Sequence, residues 1–346
     1  MLDISTPPPP PPKSDSIPKA CDPATNQALS EAKSRMAPQP IPSAYQTIEE
    51  ILNDRQNWEI CNCPLCGTEG DESDIAHRLA RSNYTKCRAC NLVYLNPRLN
   101  QEAMRRVYES SGYFEGSESN LGYQSYSSQD DCYARTFRRR LERVLMFQRP
   151  GRSLDIGCGT GILVEEAQKL GYESHGIDVS GHGLSSRLVS LGERFKQGTI
   201  EEVRYPDNHF DLITLCDVIE HIYDPRSFAE GVRRIVSPGG IVALATPNYA
   251  ALMRKVFGER NVSFKIPEHV TYYSTETLCR AMGDGFELIE SRPTGQVCTL
   301  EFLRSRLARV APPLALPLRL LGGFMDLNKP SLFVYSGSIF ALFRKR

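Results

Sequence analysis

The segment Leu154-Asp155-Ile156-Gly157-Cys158-Gly159-Thr160-Gly161 constrains this chain more than any other. It joins a short apolar run, Ser153 to Ile156, to an apolar-periodic stretch that opens at Ile162. Three glycines between a strand and a helix let a ligand approach bare backbone at a helix N-terminus. A dinucleotide fingerprint would need a further glycine at the position held by Ile162, so a pyrophosphate ligand is disfavoured. Asp155 argues in the same direction, because a carboxylate two residues ahead of the loop repels phosphate and favours a cationic group. Asp178, in Gly176-Ile177-Asp178-Val179-Ser180, follows at the end of the next strand, 23 residues later. An acidic residue there accepts hydrogen bonds from ribose hydroxyls. Either carboxylate alone would read as an ordinary turn residue; the pair around this loop reads as a nucleoside-cofactor site.

Strand and helix signals alternate after Pro150. Strands are predicted at 152–156, 173–177, 210–216, 239–246, 286–292 and 333–343, and helices at 161–170, 182–191, 225–236 and 275–283. This alternation predicts an α/β fold with a doubly wound parallel sheet. The apolar, proline-rich stretch 298–330 interrupts the last two strands and reads as an insertion. Upstream, residues 1–44 are rich in Pro, Ser, Ala and Lys and are expected to be disordered. Their run Pro7 to Pro12 reads as a solvated polyproline segment in preference to a docking motif. Short helices are expected at 45–53 and 101–107. The stretch 110–128, with Tyr113, Phe114, Tyr123 and Tyr126, reads as a loop or lid. A longer amphipathic helix is expected at 129–147, with Tyr133, Phe137, Leu141 and Leu145 on one face. Its basic run Arg138-Arg139-Arg140 with Arg143 reads as a solvated face. The expected organisation is a tail at 1–44, a cysteine module with a short leading helix at 45–100, a helical and Tyr-rich lid at 101–148, and the α/β domain at 149–346.

Five of the eleven cysteines fall between Cys61 and Cys90. Cys63-Pro64-Leu65-Cys66 and Cys87-Arg88-Ala89-Cys90 form two CxxC knuckles whose four thiolates can close a tetrahedral metal site. Zinc is the first expectation and a rubredoxin-like iron the alternative. With all four ligands used, the role is structural. Cys61 is a spare that would compete with Cys63.

Residues 150–290 resemble the class I S-adenosylmethionine-dependent methyltransferase family, bacterial type with an N-terminal zinc ribbon. The resemblance rests on the glycine loop, on Gly198-Thr199-Ile200-Glu201, on Phe210-Asp211-Leu212-Ile213-Thr214-Leu215-Cys216-Asp217 and on Ser237-Pro238-Gly239-Gly240. Val218-Ile219-Glu220-His221 and Pro267-Glu268-His269 are most similar to the ubiquinone-biosynthesis O-methyltransferases. The resemblance implies a Rossmann-like, mostly parallel seven-stranded sheet. It implies S-adenosyl-L-methionine held by Asp155, Gly157, Cys158, Gly159, Gly161, Asp178, Thr199, Ile200 and Asp217. It also implies structural Zn2+ at Cys63, Cys66, Cys87 and Cys90, in a ribbon that ends on Leu92-Val93-Tyr94-Leu95-Asn96-Pro97-Arg98.

An oxygen acceptor needs its proton removed. His269 is the first candidate for that base, with a loop histidine bonded to backbone as the equal alternative. Asp217, Glu220 and His221 match a divalent-metal pattern of the ubiquinone-type enzymes; the competing reading has Glu220 and His221 fixing the loop. His182 reads as a helix-start residue. The expected function is methylation of a small-molecule or glycan-type acceptor, at oxygen. The alternatives are a zinc-ribbon rRNA methyltransferase and a non-catalytic zinc-ribbon adaptor. Forty-one basic and 41 acidic residues cancel, which argues against a nucleic-acid partner. No signal-peptide pattern opens the chain, and the most apolar stretch, 310–325, is broken by Pro312, Pro313, Pro317 and Arg319. The expectation is a cytoplasmic protein with no transmembrane segment, able to touch a membrane surface through 298–330.

Overall fold

A computed structural model describes residues 47–70, 74–78, 82–109, 129–180, 185–251 and 265–346. The tail, the stretch 110–128 with its four aromatic residues, and His182 lie outside the described residues.

The N-terminal part is built from short pieces. Helix α1 (Ile48–Asn53) is closed by a capping box between Thr47 and Glu50. β1 (Trp58–Glu59) pairs antiparallel with β5 (Arg98–Leu99). Between them β2 (Ile75–Arg78), β3 (Asn83–Lys86) and β4 (Val93–Leu95) form an antiparallel sheet. Helix α2 (Gln101–Glu109) follows and packs Ala103, Met104 and Val107 against Ile48, Ile51 and Leu99.

The large sheet is seven-stranded, as the resemblance implies. Its strands are β6 (Arg152–Ile156), β7 (Glu173–Asp178), β8 (Phe195–Gln197), β9 (Phe210–Cys216), β10 (Val236–Pro247), β12 (Phe286–Thr299) and β13 (Ser331–Lys345), in the order β12-β13-β10-β9-β6-β7-β8. The pairs β10–β9, β9–β6, β6–β7 and β7–β8 are parallel, and β13 runs antiparallel to both its neighbours.

Period-two alternation explains the double winding. Leu154, Ile156, Ile213, Leu215, Val242 and Leu244 point to one face. There they meet Phe228, Val232 and Ile235 of α7 (Pro225–Ile235) and Leu278, Ala281 and Met282 of α8 (Thr275–Met282). Leu212, Ile241, Ala243 and Ala245 point to the other face. They meet Leu141 and Val144 of α3 (Asp130–Val144) and Leu163 and Ala167 of α4 (Ile162–Lys169). Two short helices lie between, α5 (Ser186–Val189) and α6 (Ile200–Val203).

The six expected strands are present. β8 and α6 escaped the sequence reading because three and four residues are too short to carry a period. Two larger differences concern the ends of the fold. The stretch 298–330 contains a helical hairpin, α9 (Leu300–Val310) and α10 (Pro312–Leu321), mounted on a β12–β13 ribbon longer than the expected strands. The cysteine module is also not a separate body. β11 (Thr271–Tyr272), from far downstream, pairs with β4, so the sheet runs β11-β4-β3-β2. Cys63, Leu65, Leu92 and Tyr94 join the same buried cluster as Ile219, Tyr273 and Leu278. Among the described residues no helix is long and apolar enough to cross a membrane.

Candidate functional site

A cavity of about 450 Å3 opens at the C-terminal ends of β6, β7 and β9, where open α/β sheets place their ligands. Its floor is the glycine loop. Gly157 and Gly159 have φ of +72° and +53°, and both line the cavity. A Cβ on Gly157 would sit 2.7 Å from the Val218 side chain, so glycine is required there for space as well as for backbone angle. The loop is pinned from below by the Gly157 and Cys158 N–H groups, which donate to Ile177 O at 2.8 and 3.1 Å.

Asp178 lines the cavity, with Oδ2 accepting from Gly159 N–H at 2.8 Å and Oδ1 from Ser180 N–H at 2.9 Å. Burial raises its pKa against these two bonds. A carboxylate has about four acceptor positions, so the two bonds leave capacity facing the cavity. Thr199, Ile200 and Asp217 also line it. Thr199 caps α6 through a reciprocal pair with Glu202. Asp217 follows β9 in a left-handed conformation, φ +57°, with its N–H on Ala245 O at 2.8 Å.

Three expected cofactor residues sit behind the cavity instead of on its wall. Asp155 is 5% exposed and accepts from the Thr214 hydroxyl at 2.6 Å. Burial, with the Asp178 charge adding, pushes its pKa up to about 7. A strand residue inside the parallel sheet cannot turn outward, so Asp155 supports the loop from within. Cys158 packs among Val164, Leu188, Leu191 and Phe195. Gly161, φ +78°, starts α4 against Leu188. The sequence reading missed cavity residues from outside the motif strands: Gln101 and Tyr108 of α2, and Tyr223, Ser227 and Phe228 around the start of α7. Tyr108 carried no motif; it is the penultimate residue of a helix expected to stop one residue earlier.

Glu220, His221 and His269 come together. Their candidate ligand atoms lie within 4.8 Å of one another, and Asp217 is not in the group. Glu220 is fully buried; Oε2 accepts from the Thr246 hydroxyl at 2.9 Å. Its Oε1 has no hydrogen-bond partner and lies 4.0 Å from His269 Nε2. Burial, reinforced by Asp217, pushes the Glu220 pKa up to about 8. His221 reaches the cavity wall. Its Nδ1 is 2.9 Å from Glu268 O and 3.0 Å from Tyr108 Oη. Burial, with Lys265 adding, lowers its pKa to about 4, so the ring is neutral at pH 7. With Nδ1–H donating to Glu268 O, Nε2 is left as the acceptor. His269 stands perpendicular to His221 with ring centroids 4.8 Å apart. It is 4% exposed and absent from the described cavity wall.

The four knuckle thiols also converge. Cys63 Sγ is 3.4 Å from Cys90 Sγ, and Cys66 Sγ is 3.5 Å from Cys87 Sγ. All four sulfurs lie within 4.8 Å of one another. Cys61 stands apart, its N–H on Asn96 Oδ1 and its sulfur against Leu95 O. The segment carrying Glu268 and His269 is tied to this module. Leu95 N–H donates to Val270 O at 2.9 Å, and the Tyr84 and Tyr272 hydroxyls meet at 3.1 Å.

A family model described as a methyltransferase domain matches residues 126–291. A curated relative, the ubiquinone biosynthesis O-methyltransferase of Aeromonas salmonicida (strain A449), is 32% identical over 151 residues, 40% of this chain and 63% of that protein. The protein of the same name from Alkalilimnicola ehrlichii is 39% identical over 103 residues, 28% of this chain and 42% of that one. The chain thus spans less than two thirds of the length of these relatives. A solved SAM dependent methyltransferase from Archaeoglobus fulgidus is 18% identical, with 63% of this chain and 97% of that chain covered at a TM-score of 0.40.

Proposed function

We propose, from the premise that residues 126–291 form a class I methyltransferase domain, that the protein uses S-adenosyl-L-methionine to methylate an oxygen of a small-molecule or glycan-type acceptor. The observation that carries this reading is the pairing of bare glycine backbone with Asp178 in one cavity. The residues present fit the cofactor. Asp178 keeps acceptor capacity for ribose hydroxyls, and Ile177, Val179 and Ile200 offer apolar surface for an adenine. About 450 Å3 lies within the range of small-ligand pockets. When bound, the cofactor supplies a methyl group already activated on a sulfonium sulfur. The chain's task is to orient the acceptor hydroxyl. His221 serves it through Nε2, which accepts a hydrogen bond from that hydroxyl, with His269 and Glu220 behind it as orienting groups. Asp155, Cys158 and Gly161 act indirectly, by fixing the loop.

A divalent ion is a second reading, favoured by the orphaned Glu220 Oε1. Glu220, His221 and His269 would hold it, with His269 in the place expected for Asp217. One carboxylate with two imidazoles fits a transition ion better than magnesium. Such an ion would lower the pKa of an acceptor hydroxyl.

For the ribbon we propose zinc at Cys63, Cys66, Cys87 and Cys90. Zn–S bonds of about 2.3 Å in a tetrahedron require sulfurs about 3.8 Å apart, close to the separations present. Ten free cysteines among the described residues fit a reducing compartment, the cytoplasm.

Isothermal calorimetry with S-adenosylmethionine tests the central claim. The wild type should bind, and Asp178→Ala should weaken binding by at least about tenfold, the cost of losing charge-assisted hydrogen bonds to the ligand. No heat from the wild type, or unchanged affinity in the variant, sinks it.

A further inference from the structure

The α9–α10 hairpin breaks the rule that a surface helix turns a polar face to water. Ala315 is buried and Leu318 half-buried toward α9. The outward positions are apolar too: Leu314 is 58% exposed, Leu316 55% and Leu320 63%. Gly322 and Gly323 follow, and then Phe324, 90% exposed, and Met325. An apolar patch of this kind on one element marks a surface that is covered in use.

Charge identifies the cover. Glu301, an acidic residue of the hairpin, is committed to Arg304. Arg319 and Lys329 are exposed beside the apolar residues, with Asp326 exposed between them and offsetting part of the Lys329 charge. A second cavity, about 370 Å3, opens on the same β12–β13 ribbon and is lined by Arg139, Arg140, Arg143 and Arg292. It reaches Gly295 and Tyr335, a register pair four residues from the hairpin's base pair, Thr299 with Ser331. Four residues of strand are roughly 13 Å. Arg143 is neutralised by Glu290 in a bidentate pair. Arg139 lies over the Phe333 ring, and Arg292 is exposed. Arg140 donates through Nη2 to Gly295 O at 3.4 Å, and its buried Nε and Nη1 lie beside the Cys216 thiol. Glu142 is the acidic residue on this wall. The chain as a whole is neutral, so this is a local excess of cations beside exposed leucines.

We propose that the hairpin and the arginine cavity together dock the protein on a bilayer bearing anionic phospholipids. Leu314, Leu316, Leu320 and Phe324 enter the interface and the exposed Arg139 and Arg292 meet the headgroup phosphates. A ten-residue helix is about 15 Å long, half of what crossing a hydrocarbon core requires, so α10 lies in the interface plane. A second copy is the competing occupant. A two-fold contact would set Arg319 and Lys329 against their own copies, whereas lipid phosphate complements them.

Flotation of the full chain with vesicles decides the matter, independently of cofactor binding. The wild type should float with phosphatidylcholine vesicles containing phosphatidylglycerol and far less with phosphatidylcholine alone, the difference shrinking in high salt. Leu320→Asp with Phe324→Asp should cut the bound fraction by more than about tenfold. Arg139→Gln with Arg292→Gln, both at exposed positions, should remove the preference for phosphatidylglycerol. Circular-dichroism melts verify that each variant is folded. Three results overturn the proposal: a wild type that stays with neither vesicle, folded variants that float as the wild type does, or a dimer in sedimentation that Leu320→Asp dissociates without any lipid binding.

Discussion

Glu220 shows how a single residue can be named from sequence while its surroundings cannot. Its motif with His221 was legible, but its partners were not, since Thr246 and His269 come from other parts of the chain. Its raised pKa has a consequence for stability. A carboxyl ordinarily near 4.5 and held near 8 when folded binds more protons folded than unfolded between those values. Stability therefore falls as pH rises through that window. Asp155 adds to the fall only up to about pH 7. His221, lowered from 6.5 to about 4, acts in the opposite sense but only below about 6.5. Between pH 7 and 8 Cys66 opposes Glu220: against its burial, hydrogen bonds from Thr68 lower its thiol from 9.0 to about 6, so its contribution rises with pH while that of Glu220 falls. The difference between wild type and Glu220→Gln isolates the carboxyl. Relative to the variant, the wild type should lose up to about 1 kcal/mol of stability per pH unit across that interval in thermal melts. A difference that stays constant from pH 7 to 8 would count against the buried, protonated Glu220.

Among the elements, the β12–β13 ribbon departs most from its sequence signal. Strands expected at 286–292 and 333–343 run instead from Phe286 to Thr299 and from Ser331 to Lys345. Pro293 and Gly295 hid the continuation, because proline and glycine normally end a strand. Both are accommodated near register shifts. At Gly295 a Cβ would lie 1.8 Å from Val334 O, an immovable backbone atom. Gly295→Ala should therefore cost about 1–3 kcal/mol by overpacking, read as a lower urea midpoint with unchanged slope. The central parallel strands were far easier to read. β9 and β10 are buried on both faces, so they appear as continuous apolar runs bounded by clear turns.

For the whole molecule, the joining of β4 to β11 matters most. The expected boundary near residue 100 separates the cysteine module in sequence, yet its core is continuous with that of the large sheet. The module also holds the segment bearing Glu268 and His269 against His221. Heating should therefore give one transition. Trp58, the chain's single tryptophan, reports on the N-terminal part, and far-ultraviolet circular dichroism reports mostly on the large domain. Their midpoints should coincide, and removing the metal with a chelator should lower both together. Two separated midpoints would mean that the module folds on its own.

The sequence alone determined the α/β alternation, the glycine loop with Asp178, and the two knuckles that gather four thiols. Each is local: a period, a turn or a spacing written in consecutive residues. The tertiary structure alone decided that Asp155 turns inward to Thr214, that His269 and not Asp217 joins Glu220 and His221, and that Tyr108 reaches the cavity. It also decided that the 298–330 stretch is a helical hairpin with its leucines outward. Those facts depend on contacts between residues tens to hundreds of positions apart, and neither periodicity nor spacing along the chain carries that distance.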